Sequence, residues 1–444
     1  MTSAPFCAFF AAGLIKVTDE LLANAFDEFV KGHDVKNIRL DFEGDRSIVV
    51  KNDGHGITCG MHSQLNVPVI EGAFGNFKVS SNFDDTKKRV GAGLNGLGAK
   101  LTNCYSDRFS VEVRHAETGD TYAQTWSERM AVVGKPKIKK GSKPCGGFVK
   151  VTFQPVAALL RPSGTVDADA RALLLARCME LAVAVGKDAK VHFEGSVLGC
   201  STLAKYMKVF YPESDLLAVD DADPNWLVGV AAAAQGATHG VVNGVSCSSG
   251  SHVAHVRLRL SAPLLEAVKA KRASKGSSIT MSSLDAHSAW FVVARVNRPM
   301  FNSQSKNKMD SCEFLSTYSP SEGFVTKIAG SSIVANAVEE EKAKADRKLA
   351  RTTDGRKTAT VSVPKLIDAA WAGTAKSAQT SLLLVEGDSA RAFAVSGLSE
   401  LGHDRYGVFP LKGKMLNVRE ASAATIMANV EVCVVFLLRC VWRC

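Results

Sequence analysis

The stretch Asp19-Glu20-Leu21-Leu22-Ala23-Asn24-Ala25-Phe26-Asp27-Glu28 puts Leu21, Leu22 and Ala25, continued by Phe29, on one stripe and Glu20, Asn24, Asp27 and Glu28 on its neighbour. This spacing predicts a helix over 17–31. Glu20 and Asn24 are four apart, so they share a face one turn from each other. A carboxylate beside an amide oxygen can hold a water as general base and offer a ligand to Mg²⁺. Read alone, the same pattern describes a solvated polar face.

Downstream, short strands are expected at 37–42 and 47–50, separated by Glu43-Gly44-Asp45. The second leads into Asn52-Asp53-Gly54-His55-Gly56-Ile57, an acid at a strand end followed by glycines that let backbone approach a ligand. A buried Asp53 can accept a hydrogen bond from an amino group; by itself the segment is a turn. A loop rich in Ser, Asn, Asp and Lys over 78–89 then enters Gly91-Ala92-Gly93-Leu94-Asn95-Gly96-Leu97-Gly98-Ala99-Lys100. Its glycines free backbone N–H groups to surround phosphates, and Lys100 starts an apolar helix, whose N-terminus favours anions. Alternating segments at 109–114, 121–126 and 148–153 predict antiparallel strands. Helical patterns at 170–185 and 203–210 bracket a strand at 190–193.

With 444 residues, 46% hydrophobic and 22% charged, the chain suits two or three globular domains and excludes wholesale disorder. A net charge of +10 favours polyanionic partners such as nucleic acid. Eleven cysteines without a CxxC pair argue against a disulfide framework or zinc ribbon and for a reducing compartment. No basic region precedes the apolar run 6–12, so no secretory signal is expected, and no segment reaches the ~20 apolar residues of a membrane span.

A second unit is expected from Pro212, with strands at 226–232, 239–245 and 290–296 and a helix after Ser251. His252 and His255 have no Cys or acid at ligand spacing and read as structural; Asn243 reads as a turn residue. After Pro299, the loop containing Gln304-Ser305-Lys306 offers a lysine that would ordinarily be a solvated surface group. A charged helix over 339–351 and a polar linker over 352–360 lead to a third unit near Ser381. There an apolar run, Leu382 to Val385, delivers two carboxylates into Glu386-Gly387-Asp388-Ser389-Ala390, a glycine turn that opens a small-residue helix. Carboxylates at a strand edge are hard ligands that suit Mg²⁺ beside phosphate oxygens.

In their order along the chain, the Glu20 helix, the Asp53 turn and the glycine loop ending at Lys100 resemble the GHKL (Bergerat) ATPase domain of type II topoisomerases, Hsp90-like chaperones and mismatch-repair clamps. Gln304-x-Lys306 resembles the transducer loop of type IIA DNA topoisomerases. Glu386 to Ala390, with Tyr406-Gly407-Val408-Phe409-Pro410-Leu411-Lys412-Gly413-Lys414-Met415-Leu416-Asn417-Val418-Arg419-Glu420-Ala421, resembles the opening of their TOPRIM metal domain, the second phrase being most similar to the eukaryotic and viral branch. Chaperones and clamps lack these phrases. The resemblance covers roughly 13–427 and implies an α/β fold: a GHKL α/β sandwich over 1–212, a transducer of ribosomal-S5-like fold over 213–350, a linker over 351–378 and an incomplete TOPRIM domain over 379–444.

The resemblance also implies ATP and Mg²⁺ as cofactors, with Glu20 as general base, Asn24 as Mg²⁺ ligand and Asp53, with Gly54 and Gly56, as adenine anchor. It implies Ser80, Ser81 and Asn82 on sugar and phosphates, and Asn95, Gly96, Leu97, Gly98, Ala99 and Lys100 as the phosphate loop. Lys306, with Gln304, would reach the γ-phosphate; Glu386 would hold Mg²⁺ for DNA cleavage; Lys412, Lys414 and Arg419 would approach DNA. Leu94, Leu97 and Glu28 stand where eukaryotic enzymes usually have Arg, Tyr and Asn, while gyrase-like enzymes read closer to Leu94 and Asp27-Glu28. The implied activity is ATP-dependent double-strand passage by a homodimer on double-stranded DNA, nuclear or alternatively organellar, with no membrane association. Lacking a strap before Ala12 and the cleavage residues beyond Ala428, where 430–444 departs from the pattern, the chain is expected to bind and slowly hydrolyse Mg–ATP without cleaving DNA. The alternative is a non-catalytic fragment that associates with a full-length enzyme.

Overall fold

Period-two burial along consecutive strands builds the main sheet of the first unit. The computed structural model describes residues 4–63, 65–77, 91, 96–159, 164–271, 279–353 and 365–411. Its strands are β1 (Asn37–Glu43), β2 (Ser47–Gly54), β3 (Ser106–Arg114), β4 (Thr121–Ser127), β5 (Val132–Val133), β6 (Lys137–Lys139), β7 (Gly147–Pro155), β8 (Lys190–Phe193) and β9 (Ser196–Val197). They lie in the order β5-β4-β3-β7-β2-β1-β8-β9, with β6 beside β4. Only the β1–β8 pair is parallel.

Ile38 and Leu40 of β1, Phe109 and Val111 of β3 and Val151 and Phe153 of β7 alternate with more exposed neighbours and join one core with Ile48 and Val50 of β2, a strand buried on both faces over 47–50. Among the helices, α1 (Ala4–Val30) packs against α3 (Gly98–Cys104) and α4 (Ala168–Val185), and α2 (Val69–Gly75) against α3. Leu21, Leu22 and Phe26 of α1 and Leu174, Cys178 and Leu181 of α4 enter that core. Full burial of each large apolar side chain contributes about 1.5–3 kcal/mol, so the polar residues of α1 are held in place by its apolar stripe. Asp167 caps α4 by accepting the Ala170 N–H at 2.9 Å, and Gly186 at φ +68° ends it. α1 starts earlier than its periodicity predicts, running back through the apolar stretch 6–12.

The next segment adds α5 (Leu203–Phe210), capped by Thr202, and the strands β10 (Leu217–Asp223), β11 (Trp226–Ala232), β12 (Ala237–Val242), β13 (Val245–Ser246), β14 (Ser249–Gly250), β15 (Ser288–Ala294), β16 (Val296–Phe301) and β17 (Lys308–Phe314). One sheet has the order β10-β11-β15-β12-β13 and another β14-β17-β16. The single strand expected over 239–245 is instead a tight hairpin. β12 stops at Val242, and Asn243 (φ +46°) and Gly244 (φ +72°) reverse the chain onto β13; two consecutive left-handed residues suit Asn-Gly. The Asn243 side chain donates to Val296 O and accepts the Val296 N–H, both at 2.9 Å, which fixes the turn against β16.

The helices α6 (Ser251–Lys271), α7 (Met281–Asp285), α8 (Glu322–Ala329) and α9 (Ser332–Thr353) complete this part. His252 hydrogen-bonds the Cys247 carbonyl, and His255 stacks on Trp226 while accepting the Tyr318 N–H, so both serve packing.

Contacts divide the chain into two compact units, 1–271 with 280–337 and 272–279 with 338–444. The first unit holds the residues before Pro212 together with those after it as far as Ala337, within α9. In the second unit, β18 (Ser381–Glu386), α10 (Gly387–Leu401) and β19 (Tyr406–Leu411) make a parallel βαβ element. Phe409 packs there with Leu366, Leu382 and Leu411. No helix among the described residues is long and apolar enough to cross a membrane.

Candidate functional site

A cavity of about 1000 Å³ in the first unit is lined by residues of α1, α2, α3, the main sheet and the loop between β16 and β17. At its wall Glu20, only 5% exposed, is held by the buried stripe of α1. Lys306 Nζ lies 3.2 Å from its Oε2, Gln304 Nε2 donates to its Oε1 at 3.3 Å, and Lys16 Nζ stands 3.5 Å from Oε1. The sequence readings of Glu20, Gln304 and Lys306 therefore meet at one carboxylate. Lys306 has φ +59°, a left-handed backbone that costs a non-glycine residue about 1–2 kcal/mol, and its N–H bonds Ser303 O at 3.1 Å. That strained loop delivers the ammonium into the cavity.

Gly96, Leu97, Gly98, Ala99 and Lys100 line the same space. A Cβ on Gly98 would fall closer than 3.0 Å to Glu20 Oε2, so the loop passes over the carboxylate only because it carries no side chain there. Gly91 approaches Asp27 in the same way, its Cβ position 2.7 Å from a carboxylate oxygen. Lys100 is buried in the first turn of α3, and desolvation brings its ammonium down to about 8. Asn24, one turn beyond Glu20, is exposed and lines the cavity. Its amide oxygen is a hard donor; Mg²⁺, which takes few protein ligands beside phosphates and waters, suits such a single contact.

Strand alternation places Asp53 away from the cavity in this structure. Asn52 lies on the same face of β2 as the buried Ile48 and Val50 and lines the cavity; Asp53 is on the opposite face and does not line it. The Asp53 carboxylate is engaged by the Lys36 and Asn37 N–H groups at 2.7 and 2.8 Å and by Asn37 Nδ2 at 2.6 Å. Asn52, whose Nδ2 donates to Asp53 O at 2.9 Å, lines the cavity together with His55 and Gly56 of the same segment. Counting the pleat from Val50, with glycines two and four residues after Asn52, was the signal available in the sequence. Gly56 reaches the cavity and Gly54 does not line it. Ser80, Ser81, Asn82, Leu94, Asn95, Lys412, Lys414 and Arg419 lie outside the described residues.

Behind Glu20 is a buried charge network that sequence reading missed. Arg177 of α4 donates to the Asp19 carboxylate and to the Gly244 carbonyl of the β12–β13 turn, and lies 3.4 Å from Glu180. Burial alone would raise the Asp19 carboxyl, but Arg177, Lys16 and Lys306 hold it below its ordinary value. Burial does raise Glu180, to about 7, despite Arg177; Ser246 Oγ bonds its Oε1 at 3.2 Å. An arginine and a glutamate inside an otherwise apolar helix signal buried partners, though not which ones. The network ties the helix carrying the base to the second sheet.

In the second unit Glu386 stands exposed at the end of β18, where Gly387 (φ +81°) turns the chain into α10. This is the strand–glycine–helix geometry that the sequence predicts. No group of three His, Cys, Asp or Glu donors gathers about Glu386 among the described residues.

No family model matches the chain. It is 34% identical over 443 residues to DNA topoisomerase 2 of Penicillium chrysogenum, and 34% identical over 438 residues to DNA topoisomerase 2-alpha of Mus musculus, 95% of the chain being aligned in each case. It spans 27% and 28% of those curated relatives' own lengths. Among solved structures, it is similar to the ATPase region of Saccharomyces cerevisiae topoisomerase II, with a TM-score of 0.68 and 26% identity over 74% of this chain and 86% of that one. The ATPase and transducer domains of DNA topoisomerase II from Balamuthia mandrillaris match with a TM-score of 0.67 and 25% identity over 75% and 86%.

Proposed function

We propose, from the chain's homology to the N-terminal ATPase and transducer region of DNA topoisomerase II, that its first unit binds Mg–ATP and hydrolyses it with Glu20 as general base. The observation that carries this is the convergence of Lys306 and Gln304 on Glu20 inside a glycine-lined cavity, from a loop far along the chain. Lys306 neutralises the base in the arrangement described. A terminal phosphate entering beside Gly98 offers the ammonium a more highly charged partner, which frees Glu20 to orient a water and accept its proton. Lys100 and the backbone around Gly96 and Gly98 supply positive charge and N–H donors for the remaining phosphates, and Asn52 supplies a polar contact for the base. When Mg²⁺ is bound with nucleotide, it adds charge neutralisation at the phosphates, with Asn24 as its protein ligand.

Because Lys306 belongs to the β16–β17 loop, its exchange between carboxylate and phosphate biases the segment after Pro212 relative to α1. Passage of double-stranded DNA by a homodimer, a nuclear or organellar location, a TOPRIM role for Glu386 and the domain limits 1–212, 213–350, 351–378 and 379–444 are parts of the same reading.

Turnover of Mg–ATP by the purified chain tests it. Glu20→Gln is expected to lower kcat about 10²–10⁴-fold while binding of a non-hydrolysable analogue persists. Equal turnover in parent and variant would remove Glu20 from the role of base. Analogue binding with no turnover in the parent would favour the non-catalytic fragment.

A further inference from the structure

His55, His115 and Glu117 form a second cluster of donors that nucleotide chemistry does not require. One ligand atom from each lies within 4.8 Å of the others; His55 Nε2 is 3.9 Å from Glu117 Oε1, and the two imidazole centroids are 4.9 Å apart, edge to face. The backbone beneath them is tightly tied. Ala116 N–H donates to His55 O at 2.8 Å, His115 N–H to Asp120 O and Gly119 N–H to His115 O at 2.9 Å, and His55 N–H to His33 O at 2.9 Å. Gly56, at φ +74°, lets the His55 segment press against Arg114 where a Cβ would collide with its carbonyl. The three donors therefore stand on fixed backbone, and closing them around an ion requires only side-chain rotation.

We propose that His55, His115 and Glu117 bind a divalent transition-metal ion of the Zn²⁺ class, with water as fourth ligand. Two imidazoles and a carboxylate match the donor preference of Zn²⁺, whereas Mg²⁺ selects oxygen. Thr118 supplies the outer contact. Its N–H now points at His115 Nδ1 at 3.4 Å, and its Oγ1 lies 3.2 Å from the same nitrogen. An ion on His115 Nε2 favours the tautomer with hydrogen on Nδ1, which gives up the long Thr118 N–H contact and donates instead to Thr118 Oγ1, fixing the ring. His55 and His115 also line the nucleotide cavity, so the ion and a nucleotide are neighbours, but the metal site stands whether or not the chain turns over ATP.

Titration of the purified full chain with Co²⁺, a spectroscopic stand-in for Zn²⁺, tests the assignment. The expected result is one equivalent of tetrahedral d–d absorption, displaced by Zn²⁺ and not by excess Mg²⁺. Affinity should fall in both His55→Ala and Glu117→Ala by at least the ~10–100-fold that losing an outer-shell partner costs. These two side chains are less buried than His115, and unchanged circular dichroism and melting would show that the variants fold. Absence of saturable binding, sulfur-to-metal charge transfer marking a cysteine site, or an unchanged affinity in either folded variant overturns the three-ligand site.

Discussion

Replacing Glu180 with Gln should make the protein more stable at alkaline pH and leave it unchanged in acid. Glu180 is partly buried on α4, near Arg177 and bonded by Ser246, and desolvation raises its carboxyl from an ordinary 4.5 to about 7. Folding thus favours the protonated form. The contribution is fully present below pH 4.5 and is lost as pH rises through about 7, because the folded chain then holds a partly desolvated anion that the unfolded chain would solvate fully. At about 1.36 kcal/mol per pH unit, the gap from 4.5 to about 7 comes to about 3 kcal/mol. Gln copies the shape of the neutral acid and never ionises, so near pH 8 the variant should exceed the parent by up to that amount. Near pH 4 the two should coincide. Thermal unfolding at both pH values reads the difference as a midpoint raised by a few degrees at the higher one only. A variant less stable at pH 8 would mean that the anion's attraction to Arg177 outweighs its desolvation, and would refute this account of the network.

Three further outcomes follow from the cavity. Gly98→Ala puts a methyl closer than 3.0 Å to Glu20 Oε2; with the base displaced, kcat should drop at least about tenfold, at a cost of about 1.4 kcal/mol in transition-state stabilisation, while analogue affinity changes less. Lys100 loses its proton near pH 8, so analogue affinity should weaken as pH rises past that value, and Lys100→Arg should flatten the profile because guanidinium stays charged. Lys306→Ala removes one partner of a buried ion pair, but Lys16 remains 3.5 Å from Glu20. Denaturant titration should therefore show a loss below the ~3–5 kcal/mol of a fully broken buried pair, with a clear rise in KM for ATP.

Much of the fold was legible because it is written in short-range periodicity. The apolar stripe through Leu21, Leu22, Ala25 and Phe29 specifies α1, alternation specifies the strands through Phe109 and Phe153, and Asn243-Gly244 specifies a turn, which the structure places inside the apolar run 239–245. The glycine spacing around Lys100 and the helical spacing of Glu20 and Asn24 likewise marked the cavity's two sides. That Asn52 and not Asp53 lines the cavity is set by parity with Ile48 and Val50, which the acid itself does not reveal. The sequence by itself therefore determined the elements, the caps and the residue types that can meet phosphate, all of which depend on neighbours a few positions away. Only the tertiary structure decided that Lys306 and Gln304 reach Glu20, that Arg177 joins Asp19 to Gly244, and that His55 faces His115 and Glu117. Those meetings depend on which strands pair and which helices cover them, and no local spacing encodes the distance between side chains that the pairing brings together.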